Sequence, residues 1–263
     1  MADLEALLND FTTECADLEA LVAPLPPQAW TRDTPAKGWT IAHQIAHLTW
    51  TDEVATLAAT DATRFTTLLT EAAPKALTFV DEAAAEGART PVPDLLQRWR
   101  RGRTALVAAL RTAPAGTKLP WFGPPMSPPS MITARIMETW AHGQDIADTL
   151  GVHRTPTARL RPIAHIGVRT RNFAYSVRGL EAPTAEFRVE LEAPDGETWS
   201  WGPEDAAQRV TGPALDFCLL VTQRRHRADL ALETKGEDAT TWLEIAQAFA
   251  GPTGTGRAAG QFT

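Results

Sequence analysis

Residues 40–59, TIAHQIAHLTWTDEVATLAA, hold His43 and His47 four positions apart. Their apolar neighbours Ile41, Ile45, Leu48 and Val54 recur at helical steps, and Thr40 suits the N-cap. Four residues advance an α-helix by about 400°, so the two imidazoles lie on one face within about 40°. A second run, from Ser130 as cap to Leu150 with Gly151 as its stop, places Glu138 and His142 at the same spacing. Two facing helices that each present two ligand-type side chains can converge on one ion inside a helical bundle.

Outward from these two segments the chain continues as helix. In residues 3–22, Leu4, Leu7, Leu8, Phe11, Cys15, Leu18, Leu21 and Val22 make an apolar stripe, stopped by Pro24, Pro26 and Pro27. Residues 61–86 read as a weaker helix interrupted by Pro74, and 94–113 and 157–175 as further helices. Residues 119–130, LPWFGPPMSPPS, are too rich in proline for regular helix or central strand. This aromatic loop runs directly into the helix bearing Glu138, a position suited to a pocket lip.

The texture changes after about Gly179. Phe187, Val189 and Leu191 alternate with charged residues, which is a strand pattern. Pro194, Asp195 and Gly196 turn the chain toward a partner strand at 198–201. A short helix over 214–222, a strand over 228–232 and a last helix over 241–249 follow. The expected fold is therefore α+β and mainly α: a helical bundle over residues 1–178, then a small α/β domain over 179–263.

The 263 residues allow one large or two modest domains, at roughly 100–200 residues each. The net charge of -7 argues against nucleic acid as a partner, because phosphate neutralisation needs a basic face. Two cysteines, Cys15 and Cys218, make no disulfide framework, and they lie in apolar stretches as buried, inert thiols. A reducing, cytoplasmic setting fits them. The acidic N-terminus reads as no signal peptide, and no apolar run reaches the roughly 18 residues of a membrane span. A small-molecule substrate is the expected partner.

The paired residues carry the chemistry. Imidazole and carboxylate together suit zinc best, and also nickel, iron or manganese. Three protein ligands with one position left open make a catalytic rather than a structural zinc site. The plainer reading has His43 and His47 as partly buried helix residues, and Glu138 with His142 as a hydrogen-bonded pair one turn apart.

The run Gly38-Trp39-Thr40-Ile41-Ala42-His43-Gln44-Ile45-Ala46-His47-Leu48 resembles the second helix of the DinB-like superfamily. In particular it resembles the metal-binding N-terminal domain of mycothiol-dependent maleylpyruvate isomerases. Met137-Glu138-Thr139-Trp140-Ala141-His142-Gly143-Gln144-Asp145 resembles that family's Glu-x-x-x-His-x-x-Asp helix. The resemblance spans roughly residues 3–175. It implies a DinB-like four-helix bundle with a metal triad of His47, Glu138 and His142. It also implies a small sterol-carrier-like α/β domain after the bundle, matched loosely over Val210–Ala214 and Val221–Arg225. There an arginine reaches toward the active site, placing Arg224, or Arg225, in a catalytic role. His43 stands where the family more often has a carboxylate. It is a candidate catalytic residue as a hydrogen-bond partner to a ligand, as an alternative ligand, or as a plain helix residue. Asp145 is a candidate acceptor for a ligating histidine.

The resemblance further implies mycothiol as cofactor beside the divalent metal. A metal-bound thiol would become a thiolate near neutral pH and add to an activated alkene or epoxide, giving S-transfer or isomerisation. Two other readings stay open: a DinB-like metalloenzyme without thiol, acting as a Lewis-acid isomerase, cyclase or hydrolase, and a non-enzymatic small-molecule-binding protein. Arg169 and Arg171, with Arg178, form a basic cluster that can hold an anionic cofactor through paired hydrogen bonds, or simply face solvent. Trp50, Trp99, Trp121 and Trp140 suit core packing better than pocket walls.

Overall fold

The computed structural model describes residues 3–76 and 78–262. Contacts divide the chain into two compact units, Met1–His153 and Arg154–Thr263.

The first unit is built from α1 (Leu4–Val22), α2 (Ile41–Thr60), α3 (Ala62–Ala72), α4 (Phe79–Gly87), α5 (Val92–Thr112) and α6 (Pro128–Leu150). Helix α1 starts where the Asp3 side chain accepts the Glu5 N–H. It buries the expected stripe of Leu7, Leu8, Phe11, Cys15, Leu18 and Val22 against α6 and α5. Helix α2 is buried around most of its circumference, from Ile41, Ala42, Gln44, Ile45 and His47 to Asp52 and Ala55. A helix covered on all sides is the centre of its bundle. Its neighbours are α5, α4, α6 and α3.

The expected helix over 61–86 is two helices, separated by a 3-10 turn over Ala73–Lys75 that contains Pro74. Ser127, not Ser130, caps α6: its hydroxyl accepts the Ser130 N–H at 3.3 Å. Pro128 and Pro129 form the first turn, where the missing proline N–H has no helical partner to lose. The loop before it closes on itself through paired backbone hydrogen bonds between Leu119 and Met126. Its Trp121 stacks on Phe65 at 5.9 Å between ring centres.

The end of α4 runs close against α2. A Cβ built on Gly87 would lie 2.8 Å from the Ala46 Cβ. Gly87→Ala, which in a free helix would stabilise by about 1 kcal/mol, is therefore expected to destabilise by about 1–3 kcal/mol. Urea denaturation of the two proteins reads the sign directly.

The second unit contains α7 (Leu160–Arg169), α8 (Arg171–Ser176), β1 (Phe187–Glu192), β2 (Thr198–Trp201), β3 (Gln208–Pro213), α9 (Ala214–Val221), β4 (Glu233–Lys235) and α10 (Glu237–Ile245). The sheet order is β2-β1-β3-β4, with β1 antiparallel to β2 and parallel to β3, and β3 antiparallel to β4. The hairpin of β1 and β2 forms as its alternation predicts, with Gly196 at a φ of 85° in the turn. Behind the sheet, Trp242 meets Phe187 and Phe217 edge to face at 5.7 and 5.8 Å.

Three expectations in this half change. The helix expected over 157–175 breaks at Thr170 into α7 and α8. The strand expected over 228–232 is a 3-10 turn, Arg227–Asp229, ahead of β4. Its backbone groups are taken by side chains: Asp216 accepts the Ala231 N–H, and Arg227 donates to the Leu230 and Leu232 carbonyls. The last helix lies four residues earlier, because the Ala248 N–H is drawn to the Val221 carbonyl. The expected boundary near residue 178 falls inside this unit. Helix α7 packs on α9, where a Cβ on Gly167 would meet Val221 Cγ2 at 2.9 Å. Among the described residues no helix is long and apolar enough to cross a membrane.

Candidate metal centre

The two spaced pairs meet in the bundle of the first unit, but only three of their four members converge. His47 comes from α2, and Glu138 and His142 from α6. One ligand-type atom from each lies within 4.8 Å of the others. His47 Nε2 and His142 Nε2 stand 3.4 and 3.2 Å from the same oxygen, Glu138 Oε2. Among the described residues this is the one group of three histidine, cysteine or carboxylate side chains so arranged. Burial favours the protonated form of Glu138, yet the hydrogen bonds from His142 and His47 outweigh it. They hold the carboxyl well below its usual range. An ionised carboxylate between two imidazole nitrogens is the donor set of a zinc-type centre with a position to spare, so these residues fit a divalent ion.

The surroundings of the triad are aromatic. The Trp39 ring stacks on His142 at 5.7 Å and 18°, and lies 5.2 Å from the His47 ring. Its indole N–H donates to Asp81 of α4 at 2.9 Å. On the other side His47 faces Trp50 at 6.3 Å, which leads on to Phe79 and Phe122. Trp50 and Trp121 are thus half-buried members of an aromatic cluster, whereas Trp99 and Trp140 are buried in the core as expected.

His142 Nδ1 is hydrogen-bonded to Gln44 Oε1. Gln44 Nε2 reaches Thr34 Oγ1 at 2.8 Å, and the Thr34 hydroxyl reaches the Trp39 carbonyl at 2.7 Å. Sequence reasoning missed Gln44. The signal available was its place between the two histidines, three residues before His47 on the same helix face. Asp145, the acceptor expected from spacing, is fully buried one turn beyond His142.

His43 does not join the triad. Its Nδ1 accepts the Thr40 backbone N–H at 3.3 Å and lies 2.8 Å from Thr40 Oγ1, which closes a capping box at the start of α2. Burial lowers its pKa, against the pull of Asp81. The arginines expected near the site, Arg169, Arg171 and Arg178 with Arg224 or Arg225, all belong to the second unit. Arg224 follows α9 and donates to the Thr222 carbonyl at 2.6 Å. Arg171 lies over the Phe187 ring at 4.0 Å and bonds Asn172, while Arg169 ends α7 in an exposed position. Cys15 and Cys218 are buried, and burial pushes both thiols far up, out of reach of nucleophilic use.

A second buried pair joins the same helices. Arg135 Nε donates to Asp52 Oδ1 at 2.9 Å, with the two side chains 2% and 0% exposed. Burial raises the Asp52 pKa, and the Arg135 guanidinium opposes it.

Comparison with known proteins bears on the family and the fold. Residues 11–147 match the model of the mycothiol maleylpyruvate isomerase N-terminal domain, and residues 183–233 match that of wyosine base formation. Two curated relatives are the uncharacterized proteins Rv0036c and MT0041 of two Mycobacterium tuberculosis strains. Each is 58% identical over 257 residues, covering 98% of this chain and the whole of the relative. Crystal structures of mycothiol-dependent maleylpyruvate isomerase and of a point mutant of it share the fold. The TM-score is 0.59 at 17% identity, over 84% of this chain and 90% of theirs.

Proposed function

The chain belongs to the mycothiol maleylpyruvate isomerase N-terminal domain family, and from that premise we propose that it is a metal-dependent enzyme acting on a small electrophile with the help of a low-molecular-weight thiol. The observation that carries the proposal is the His47, Glu138 and His142 triad. These three residues would hold one divalent ion, zinc by donor type. Bound there, the ion would supply the positive charge that keeps a thiol sulfur deprotonated near neutral pH.

The chain's own groups define the rest. His47 and His142 present nitrogen lone pairs, and Glu138 a charge that offsets the ion. Trp39, lying against both imidazoles, keeps bulk water off that side. A thiolate adding to an activated alkene forms one S–C bond and turns the double bond into a single one. Rotation followed by expulsion of the same thiolate restores the alkene in the other geometry, whereas protonation of the adduct completes S-transfer. Mycothiol is the thiol in the family's name. The test is turnover of an activated alkene by zinc-loaded protein, with and without mycothiol. Turnover that requires both supports the proposal, and equal turnover without thiol contradicts the thiol step.

The role of His43 is separable from that of His47. His43→Ala is expected to loosen the start of α2 by about 1 kcal/mol, the usual worth of a cap. It should weaken zinc binding far less than His47→Ala does. Competition titration against a zinc chelator checks this, and equal losses would make His43 a ligand.

A further inference from the structure

We infer that Gln44, held by Thr34, is a positioning residue that fixes His142 as an Nδ1–H donor and so sets how tightly the triad holds its ion. The inference rests on the metal-centre reading above and adds to it a group that no motif supplies.

Three hydrogen bonds run in series from His142, and a single atom fixes the direction of all of them. The Trp39 backbone carbonyl can only accept, so the Thr34 hydroxyl, 2.7 Å away, must donate its one proton to it. Thr34 Oγ1 is then left to accept from Gln44, 2.8 Å away, which requires the amide nitrogen of Gln44 on that side. The amide oxygen therefore faces His142 Nδ1, and Nδ1 must carry a proton to donate to it. The proton on Nδ1 makes Nε2, 3.2 Å from Glu138 Oε2, the nitrogen that would give its lone pair to an ion in place of the hydrogen bond it makes with Glu138 when none is bound. The proton sits on the nitrogen away from the site because of a backbone carbonyl three hydrogen bonds distant.

The chain is also locked in place. Gln44 is fully buried, so its amide has no competing water. The loop that carries Thr34 is closed by backbone bonds, with the Thr34 N–H on the Trp39 carbonyl and the Ile41 N–H on the Arg32 carbonyl. The same loop lays the Trp39 ring on His142. One short segment thus orients the ligand from its edge, through Gln44, and from its face, through Trp39. Polar groups that orient a ligating histidine are worth about 10- to 100-fold in metal affinity.

The test compares zinc affinity in the full-length chain, by chelator competition, for the wild type, Gln44→Leu, Gln44→Glu and Thr34→Val. Gln44→Leu removes the acceptor and should weaken zinc binding about 10- to 100-fold. Gln44→Glu keeps an acceptor for Nδ1–H in a side chain of the same shape and should stay within a few-fold of wild type, so its contrast with Gln44→Leu reads the loss of the acceptor. Thr34→Val frees the Gln44 amide and should weaken binding by a smaller factor. If Gln44→Leu does not fold, the contrast between the glutamate and Thr34→Val variants decides. Long-range proton–nitrogen correlation on the zinc-loaded protein should show a slowly exchanging His142 Nδ1–H, lost in Gln44→Leu. Zinc binding at wild-type affinity in both Gln44→Leu and Thr34→Val, or a metal on Nδ1, would overturn the inference alone. A wild-type protein that takes up no zinc would overturn the metal centre itself.

Discussion

Glu138→Gln is expected to abolish stoichiometric metal binding while leaving the bundle folded. The amide keeps the size of the side chain and removes its charge, so an ion would face two neutral imidazoles with no anionic ligand. Losing a group that merely orients a ligand costs about 10- to 100-fold in affinity, and losing a ligand costs more. The loss should therefore exceed about 100-fold. The Glu138 side chain is 21% exposed, so an amide in its place can still reach solvent. Competition titration gives the affinity, and circular dichroism verifies that the helices persist. Retention of zinc at wild-type affinity would remove Glu138 from the ligand set.

The largest stability effect is expected at Asp52, not at the triad. Arg135 and Asp52 are both almost completely buried, and each is the other's ion-pair partner. Asp52→Ala would leave the guanidinium charged within the bundle, with a loss of about 3–5 kcal/mol. Changing both, as Asp52→Leu with Arg135→Met, should cost much less than Asp52→Ala, because no uncompensated charge remains buried. Urea unfolding of the variants tests both statements. A single and a double variant of equal stability would mean that the pair contributes nothing through its charge.

Much of the first unit could be read from the chain itself. The stripe in α1 and the two pairs at four-residue spacing predict helices of a bundle with ligand-type residues on facing sides, and that is how they lie. Spacing alone left His43 and His47 equivalent. They differ because His43 sits in the first turn of α2, where its ring folds back onto Thr40, while His47 sits one turn deeper and faces α6. The helix face shared with His47 could point to Gln44 but not to its role, which depends on a loop ten residues earlier that brings Thr34 onto its amide. The contact-based division falls earlier than the expected end of the bundle for a related reason. Helical texture continues to about residue 176, but α7 pairs with α9, far along the chain, and contact across sequence decides the unit. Strand β3 has one fully buried residue, Val210, so no alternation announces it; pairing on both sides with β1 and β4 makes it a strand.

The most direct test of the metal centre is elemental analysis of the full chain purified without chelator, beside His142→Ala prepared in the same way. The triad predicts about one divalent ion per wild-type chain and a metal-free variant that zinc does not reload at comparable affinity. A wild-type protein without metal, together with His142→Ala binding added zinc as tightly as wild type, would contradict it.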